Sequence, residues 1–272
     1  SFVGLVAAGQ TFVILIGGID LSVPWVLNAA AILIATSSLG QDARAPYALA
    51  LTLGMGALVG LVNGFGIALL GVPPVVMTLA MNGIMEGLTL GLSGGMTCGA
   101  CASYAPPIVQ TAVHGHVLGI PAVLYLWLVV IVAVSFALSR TRFGRSTYAI
   151  GNNARASFLA GLDITATTVA LYTLSGFFAA LAGIMLVGFG GQASLGMGDP
   201  YLFQSIAAVV IGGVYILGGR GHYIGSVAGA ISLVMLISVL MAMNMPEYGR
   251  SILYGVIILG LLLLYGRETG ES

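Results

Sequence analysis

Lysine is absent from all 272 residues. A phosphate loop of the Gly-x-x-x-x-Gly-Lys-Ser/Thr type therefore cannot be built, because its Lys must reach the β- and γ-phosphates. Schiff-base chemistry is excluded for the same reason, and so is the basic footprint of a nucleic-acid-binding protein. Charge of either sign is scarce. Eight arginines and eight carboxylates make up 6% of the chain and cancel to a net charge of zero, whereas a soluble domain carries about 25% charged residues. No soluble surface of this size can be made from sixteen charges, and no polyanionic partner is indicated. No cationic stretch precedes the apolar run that starts at Ser1-Phe2-Val3-Gly4, so the start does not read as a signal peptide. There are two cysteines, Cys98 and Cys101. With His114 and His116 they lack the usual zinc spacing, and a redox role lacks its context. A disulfide on the outer side or a pair of free thiols is the plain reading.

Apolar residues make up 59% of the chain. They fall into runs near the length of about 20 residues that a membrane-spanning helix needs. The runs predict an all-α, polytopic helical bundle forming a single transmembrane domain over residues 1–272. Spans are expected at Phe2 to Ile16, Ser22 to about Leu39, Tyr47 to Leu70, Val75 to Leu92 and Pro121 to Leu138. Four more follow at Thr165 to Phe189, Tyr201 to Leu217, His222 to Met243 and Ile252 to Tyr265. Residues 93–120 read as an exposed excursion and 139–164 as a polar loop. With nine alternating spans, Arg140, Arg142, Arg145, Arg155, Arg220 and Arg267 lie on one side, and Arg44 and Arg250 on the other. The arginine-rich side is the cytoplasmic one. That places the C-terminus and the 139–164 loop inside, and it implies a tenth span ahead of Ser1.

The first apolar stretch is cut by Gly17-Gly18-Ile19-Asp20-Leu21-Ser22. Broken backbone at membrane depth survives only where protein or a wet cavity covers it, so a broken helix beside a pathway is expected. Asp20 has two readings. It is a polar contact or structural switch beside the pathway, or Asp20 or Ser22 caps a helix whose early turn holds Pro24. Asn28, Asn63, Asn82, Glu86 and Gln204 also lie inside expected spans and should face the bundle interior, as pathway lining or as helix–helix glue. In the polar loop, Arg155, Ala156, Phe158, Leu159, Ala160 and Leu162 form a short amphipathic pattern that Gly161 would end. Exposed Phe158 and Leu159 call for a partner. Three glycine series recur every fourth residue: Gly56-Gly60-Gly64, Gly83-Gly87-Gly91-Gly95 and Gly221-Gly225-Gly229. Each is expected to hold helices close together within the chain, with a subunit interface as the alternative.

Several segments in fixed order resemble the permease subunits of bacterial ABC importers for monosaccharides of the ribose, xylose and galactose type. These are Gly17-Gly-Ile-Asp-Leu-Ser22, Pro73-Pro-Val-Val-Met-Thr78, Phe143-Gly-Arg145-Ser-Thr-Tyr-Ala-Ile-Gly151-Asn-Asn153, Ser175-Gly176 with Ala182-Gly183, Ile206 to Gly213, and Gly218-Gly-Arg-Gly221. The resemblance covers nearly the whole chain. It departs from the family pattern at Pro24, at Gly151-Asn152-Asn153 and at Asp199-Pro200-Tyr201, positions that bear on the solute and not on the fold. It implies about ten spans and a bacterial inner-membrane location. The implied partners are a second permease copy or paralogue, two cytoplasmic ATPase subunits and a periplasmic sugar-binding protein. No cofactor is expected in this chain, since ATP and magnesium would sit on the ATPase. The resemblance also implies a coupling helix at about Asn152 to Gly161, so that Asn152, Asn153, Arg155, Phe158, Leu159 and Gly161 would meet the ATPase. Import of a pentose or hexose by alternating access is the expected function. A same-fold permease for a branched-chain amino acid or a nucleoside is the first alternative. A stand-alone secondary transporter using Asp20 and Glu86 is the second.

Overall fold

The computed structural model describes residues 1–95 and 104–268. Its secondary structure is helical apart from a two-residue strand pair, His116–Val117 with Ile120–Pro121. The helices are α1 (Phe2–Leu15), α2 (Val23–Ser38), α3 (Ala45–Ala68), α4 (Pro74–Ser93), α5 (Pro107–His114), α6 (Ala122–Arg140), α7 (Arg142–Asn152), α8 (Ala154–Leu159), α9 (Ile164–Gly190), α10 (Tyr201–Ile211), α11 (Tyr223–Ala242) and α12 (Glu247–Glu268). Among the described residues, five helices are long and apolar enough to cross a membrane, those built on α3, α4, α6, α9 and α11. Shorter apolar helices stand where α1, α2, α10 and α12 lie. All nine expected spans are therefore helical. Helices that are apolar on every side belong in lipid, and α6 shows it with Leu128, Val129, Val132 and Phe136 all exposed.

The centre is α9. In its most apolar 18-residue stretch 61% of the residues are buried, against 22% to 33% in the other long helices. Helix α1 runs antiparallel to it. Phe2 meets Phe189 at one end, with ring centroids 5.5 Å apart, and Gly9 lies against the backbone of Ser175 farther along. Helix α3 lies against α9 through Gly56, Gly60 and Gly64, where a Cβ would strike Gly176, Tyr172 and Val169. Gly225 and Gly229 of α11 fit against Gly212 and Ala208 at the end of α10 in the same way. Two of the three glycine series thus bring backbones together inside the chain.

The third does not. A Cβ at Gly83, Gly87 or Gly91 would meet nothing within 4 Å. Helix α4 buries its opposite side, Thr78, Met81, Met85 and Thr89, and leaves its glycine side bare. The excursion expected over residues 93–120 packs in part on the bundle. Within it α5 buries Val109 and Val113 against Gly188 of α9. Cys98 and Cys101 lie outside the described residues.

The seventh expected span is shorter than its hydropathy. Helix α10 stops at Ile211, and the chain continues without helix to His222. The stop has the same form as the end of α1. Gly18 N–H bonds the Val13 carbonyl and Gly17 N–H that of Ile14, with Gly17 at φ +78°. Val214 N–H bonds Val209 and Gly213 N–H bonds Val210, with Gly213 at φ +79°. Both are Schellman ends, which need a left-handed residue after the cap. The bundle therefore holds two helix breaks where the sequence suggested one.

Candidate functional site

The first break is fastened by side chains from four helices. After Gly17 the chain doubles back along α1, and Gln10 grips it there. The Gln10 amide donates to the Asp20 carbonyl at 2.7 Å and accepts from the Asp20 N–H at 3.3 Å. Thr78 of α4 accepts from Leu21 N–H at 3.0 Å. The Asp20 carboxyl, 1% exposed, accepts from Ser22 N–H at 3.0 Å, from the Ser22 hydroxyl at 2.6 Å and from the Ser175 hydroxyl of α9 at 2.7 Å. Asn63 of α3 donates to the Ser22 hydroxyl at 3.0 Å. A buried polar group is tolerated when it is fully bonded, and here the bonds also fix where α2 starts. That start lies beside Ser175, near the middle of α9. A half-helix beginning at membrane depth is the arrangement that transporters use around a solute pathway.

Asp20 is thus enclosed by protein. The cap is not conventional, because Ser22 makes no side-chain cap bond to α2. The carboxyl closes a short turn onto Ser22 and ties it to α9. Two polar atoms in the same shell, Asn63 Oδ1 and the Tyr172 hydroxyl, are buried without a protein partner. The Tyr172 hydroxyl occupies the place that a Cβ on Gly18 would need.

The other intramembrane polar residues do not join this cluster. Asn28 is fully buried and holds the loop ahead of α10. Its amide donates to Asp199 at 3.1 Å and accepts from Gly198 N–H at 2.7 Å. Asn82 and Glu86 lie half-buried on α4, and Asn82 Oδ1 has no protein partner. Gln204 lines a cavity of about 300 Å³ with Tyr201, Arg250, Ser251 and Tyr254, between the ends of α10, α11 and α12. The structure therefore brings Asp20, Ser22 and Asn63 together and leaves Asn28, Asn82, Glu86 and Gln204 at three other places.

At the C-terminal end of α1, where the first break begins, the two breaks touch. Gly219 N–H donates to the Leu15 carbonyl at 2.8 Å. A Cβ on Gly17 would lie 3.0 Å from the Leu217 oxygen, and one on Gly218 would lie 2.7 Å from Gly17 N. Helix α7 closes the group. A Cβ on Gly151 would strike Leu15 and Gly219, the Asn152 amide donates to the Gly219 carbonyl at 3.3 Å, and the Tyr148 hydroxyl donates to the Gly221 carbonyl at 2.8 Å.

Beyond α7 the polar loop holds one turn and a half of helix, α8, which is shorter than the expected Asn152 to Gly161. Asn153 caps it, accepting from Ala156 N–H at 2.9 Å, and Gly161 at φ +81° follows its end. Phe158 and Leu159 project from it, 69% and 79% exposed, beside exposed Arg155. Asn152 belongs to α7 and points back to the Gly219 turn. All six expected contact residues are exposed; the apolar pair and Arg155 project from α8, while Asn153 and Gly161 shape its ends. Sequence reasoning missed Gln10 and Ser175 as site residues. Each is a polar side chain inside an otherwise apolar helix, and that was the available signal.

A family model described as "Branched-chain amino acid transport system / permease component" matches residues 1–262. The ribose import permease protein RbsC of Escherichia coli (strain K12) is 33% identical over 264 residues, covering 97% of this chain and 82% of that protein. The ribose import permease protein RbsC of Bacillus subtilis (strain 168) is 36% identical over 267 residues, 98% of this chain and 82% of that protein. The autoinducer 2 import system permease protein LsrC of Escherichia coli (strain K12 / DH10B) is 32% identical over 263 residues, 97% of this chain and 75% of that protein. No solved structure matches significantly.

Proposed function

The chain belongs to the branched-chain amino acid transport system permease component family, and within that family we propose that it is the membrane subunit through which an ATP-driven importer moves a monosaccharide. The ribose permeases among its relatives support a sugar as solute. The autoinducer 2 permease stands at nearly the same identity and supports a second reading, import of that signal. Neither relative's solute is a branched-chain amino acid. ATP and magnesium belong to a separate ATPase, and a periplasmic binding protein delivers the solute.

The observation that carries the mechanism is the unbroken run of contacts from α8 to the start of α2. An ATPase that grips Phe158 and Leu159 moves α8 and the α7 helix joined to it. The end of α7 bears on Gly219 and Leu15, where both helix breaks meet. From there the doubled-back segment leads to Asp20, Ser22 and Ser175. The unpartnered Asn63 and Tyr172 atoms favour a segment with a second arrangement, because an unmet buried polar group costs about 1–3 kcal/mol in the arrangement that leaves it so. Alternating access follows when ATP binding and release bias those two arrangements.

The bare glycine side of α4 supports a second permease seated there, with Asn82 and Glu86 flanking the seam and the solute path running between the two copies. The excess of arginines beside α7 and α8 supports a cytoplasmic position for that end and for the C-terminus in the bacterial inner membrane. The test is co-expression with ATPase and binding-protein partners, followed by ATP hydrolysis measured with and without ribose-loaded binding protein. Stimulation by ribose supports the first reading and stimulation by autoinducer 2 alone the second. A chain that binds no ATPase refutes both.

A further inference from the structure

At the arginine-rich end, α6, α7 and the start of α11 enclose a cavity of about 470 Å³ lined by Ser139, Arg145, Tyr148, His222 and Ile224 among others. Nothing in the transport mechanism above uses it. Among the described residues no ion pair or side-chain hydrogen bond engages Arg145. His222 is held in place by the Tyr148 ring, with centroids 6.3 Å apart. His222 is the N-cap of α11 and makes no side-chain cap bond, so the positive end of a 20-residue helix opens beside the guanidinium and the imidazole. The Ser135 hydroxyl nearby is buried without a protein partner. All these donors suit an anion.

The cavity continues as an apolar track. On α6 a shallow groove of about 420 Å³ runs over Leu128, Val129, Val132 and Phe136. Leu128, Val132, Ser135 and Ser139 are spaced by four, three and four, so they share one stripe of the helix. The groove therefore leads along α6 into the polar cavity. A free anion would fill only the polar half. A molecule with a phosphate at one end and a hydrocarbon chain at the other fills both. Basic pockets between helices on the cytoplasmic side of a membrane bind anionic headgroups by this combination.

We propose that this site holds an anionic phospholipid of the cytoplasmic leaflet, with its phosphate at Arg145, His222 and the start of α11 and one acyl chain along α6. The proposal rests on the orientation argued above. Its headgroup end adjoins the Tyr148–Gly221 bond, which ties α7 to the turn where the two breaks meet. An occupied site therefore stiffens the link between α7 and that turn.

The test is native mass spectrometry of the chain purified with its ATPase partners, in detergent with added phosphatidylglycerol, phosphatidylcholine or inorganic phosphate. The parent chain should retain phosphatidylglycerol and not phosphatidylcholine. Arg145→Gln should retain about fivefold less, the worth of one basic residue near an anionic headgroup. His222→Ala should also retain less, Arg145→Lys should recover most of the retention, and Arg44→Gln at the other end should match the parent. Equal retention in Arg145→Gln, or equal retention of the two lipids, would overturn the proposal. So would retention of inorganic phosphate equal to that of phosphatidylglycerol, which would mark a free-anion site. Lipid retention is read without transport, so a chain that keeps its lipid but imports nothing refutes the transport reading alone.

Discussion

Replacing Asp20 separates support from solute contact. Three donors converge on its carboxyl: Ser22 N–H, the Ser22 hydroxyl and the Ser175 hydroxyl. In Asp20→Ala, Ser175 can turn its hydroxyl to a carbonyl one turn back on α9. The two Ser22 donors have no such escape and sit in a site that is 1% exposed. Each stranded donor costs about 1–3 kcal/mol, so the loss is about 2–6 kcal/mol. Asp20→Asn is milder. Its carbonyl oxygen still accepts from Ser22, and its amide can donate to Ser175 once that hydroxyl reverses, so about 1–2 kcal/mol is lost. The assay is thermal aggregation of the detergent-purified protein together with initial uptake rates for two competing sugars. Alanine should lower the midpoint by roughly 10 °C at about 2–4 °C per kcal/mol for a chain of this size. Asparagine should lower it by a few degrees, and both should slow uptake while leaving the preference between the sugars unchanged. Adding Ser22→Ala to Asp20→Ala should cost less than the sum of the two changes, because they remove one network. A normal midpoint with an altered sugar preference would refute the reasoning and make Asp20 a solute ligand.

Gly60→Leu should abolish folded protein in size-exclusion chromatography, because its Cβ lands on Tyr172 of α9, whereas Gly87→Leu, with open space around it, should fold and yet lose cross-linking between permease copies. Phe158→Ser together with Leu159→Ser should leave the midpoint unchanged and cut ATPase recovered in pull-down at least tenfold, since each apolar side chain buried on docking is worth about 1.5–3 kcal/mol. Asn28→Ala should free the loop ahead of α10 by removing the bonds to Asp199 and Gly198, which protease cleavage at residues 192–199 would register as faster nicking.

Hydropathy alone located every apolar helix, because a lipid-facing helix cannot hide its composition. It overran α10, since Tyr215, Ile216 and Leu217 prolong the apolar run past the Gly212-Gly213 stop, and a Schellman end depends on backbone conformation. The break at Gly17 was legible because a carboxylate and a serine follow its glycines. What Asp20 does was not legible. Ser175, its partner on α9, is 155 positions away, and no local pattern announces such a pairing. The glycine series make the same point. Gly56-Gly60-Gly64 and Gly83-Gly87-Gly91 have identical spacing, yet one meets α9 and the other meets nothing. Spacing marks a helix side where backbones can approach, and only the tertiary arrangement says whether a neighbour of the same chain occupies it.

Motion applied at α8 should reach the buried start of α2 through the Gly219 turn. Gly219→Ala tests it most directly. The new Cβ would sit 2.6 Å from Asn152 Oδ1, and the backbone there is at φ +79°, so the contact between α7 and the turn must shift. The measurement is sugar uptake per ATP hydrolysed, in vesicles holding the permease, its ATPase and the binding protein. ATPase binding and hydrolysis should persist while uptake per ATP falls several-fold. Unchanged uptake per ATP in a correctly assembled Gly219→Ala complex would contradict transmission through that turn.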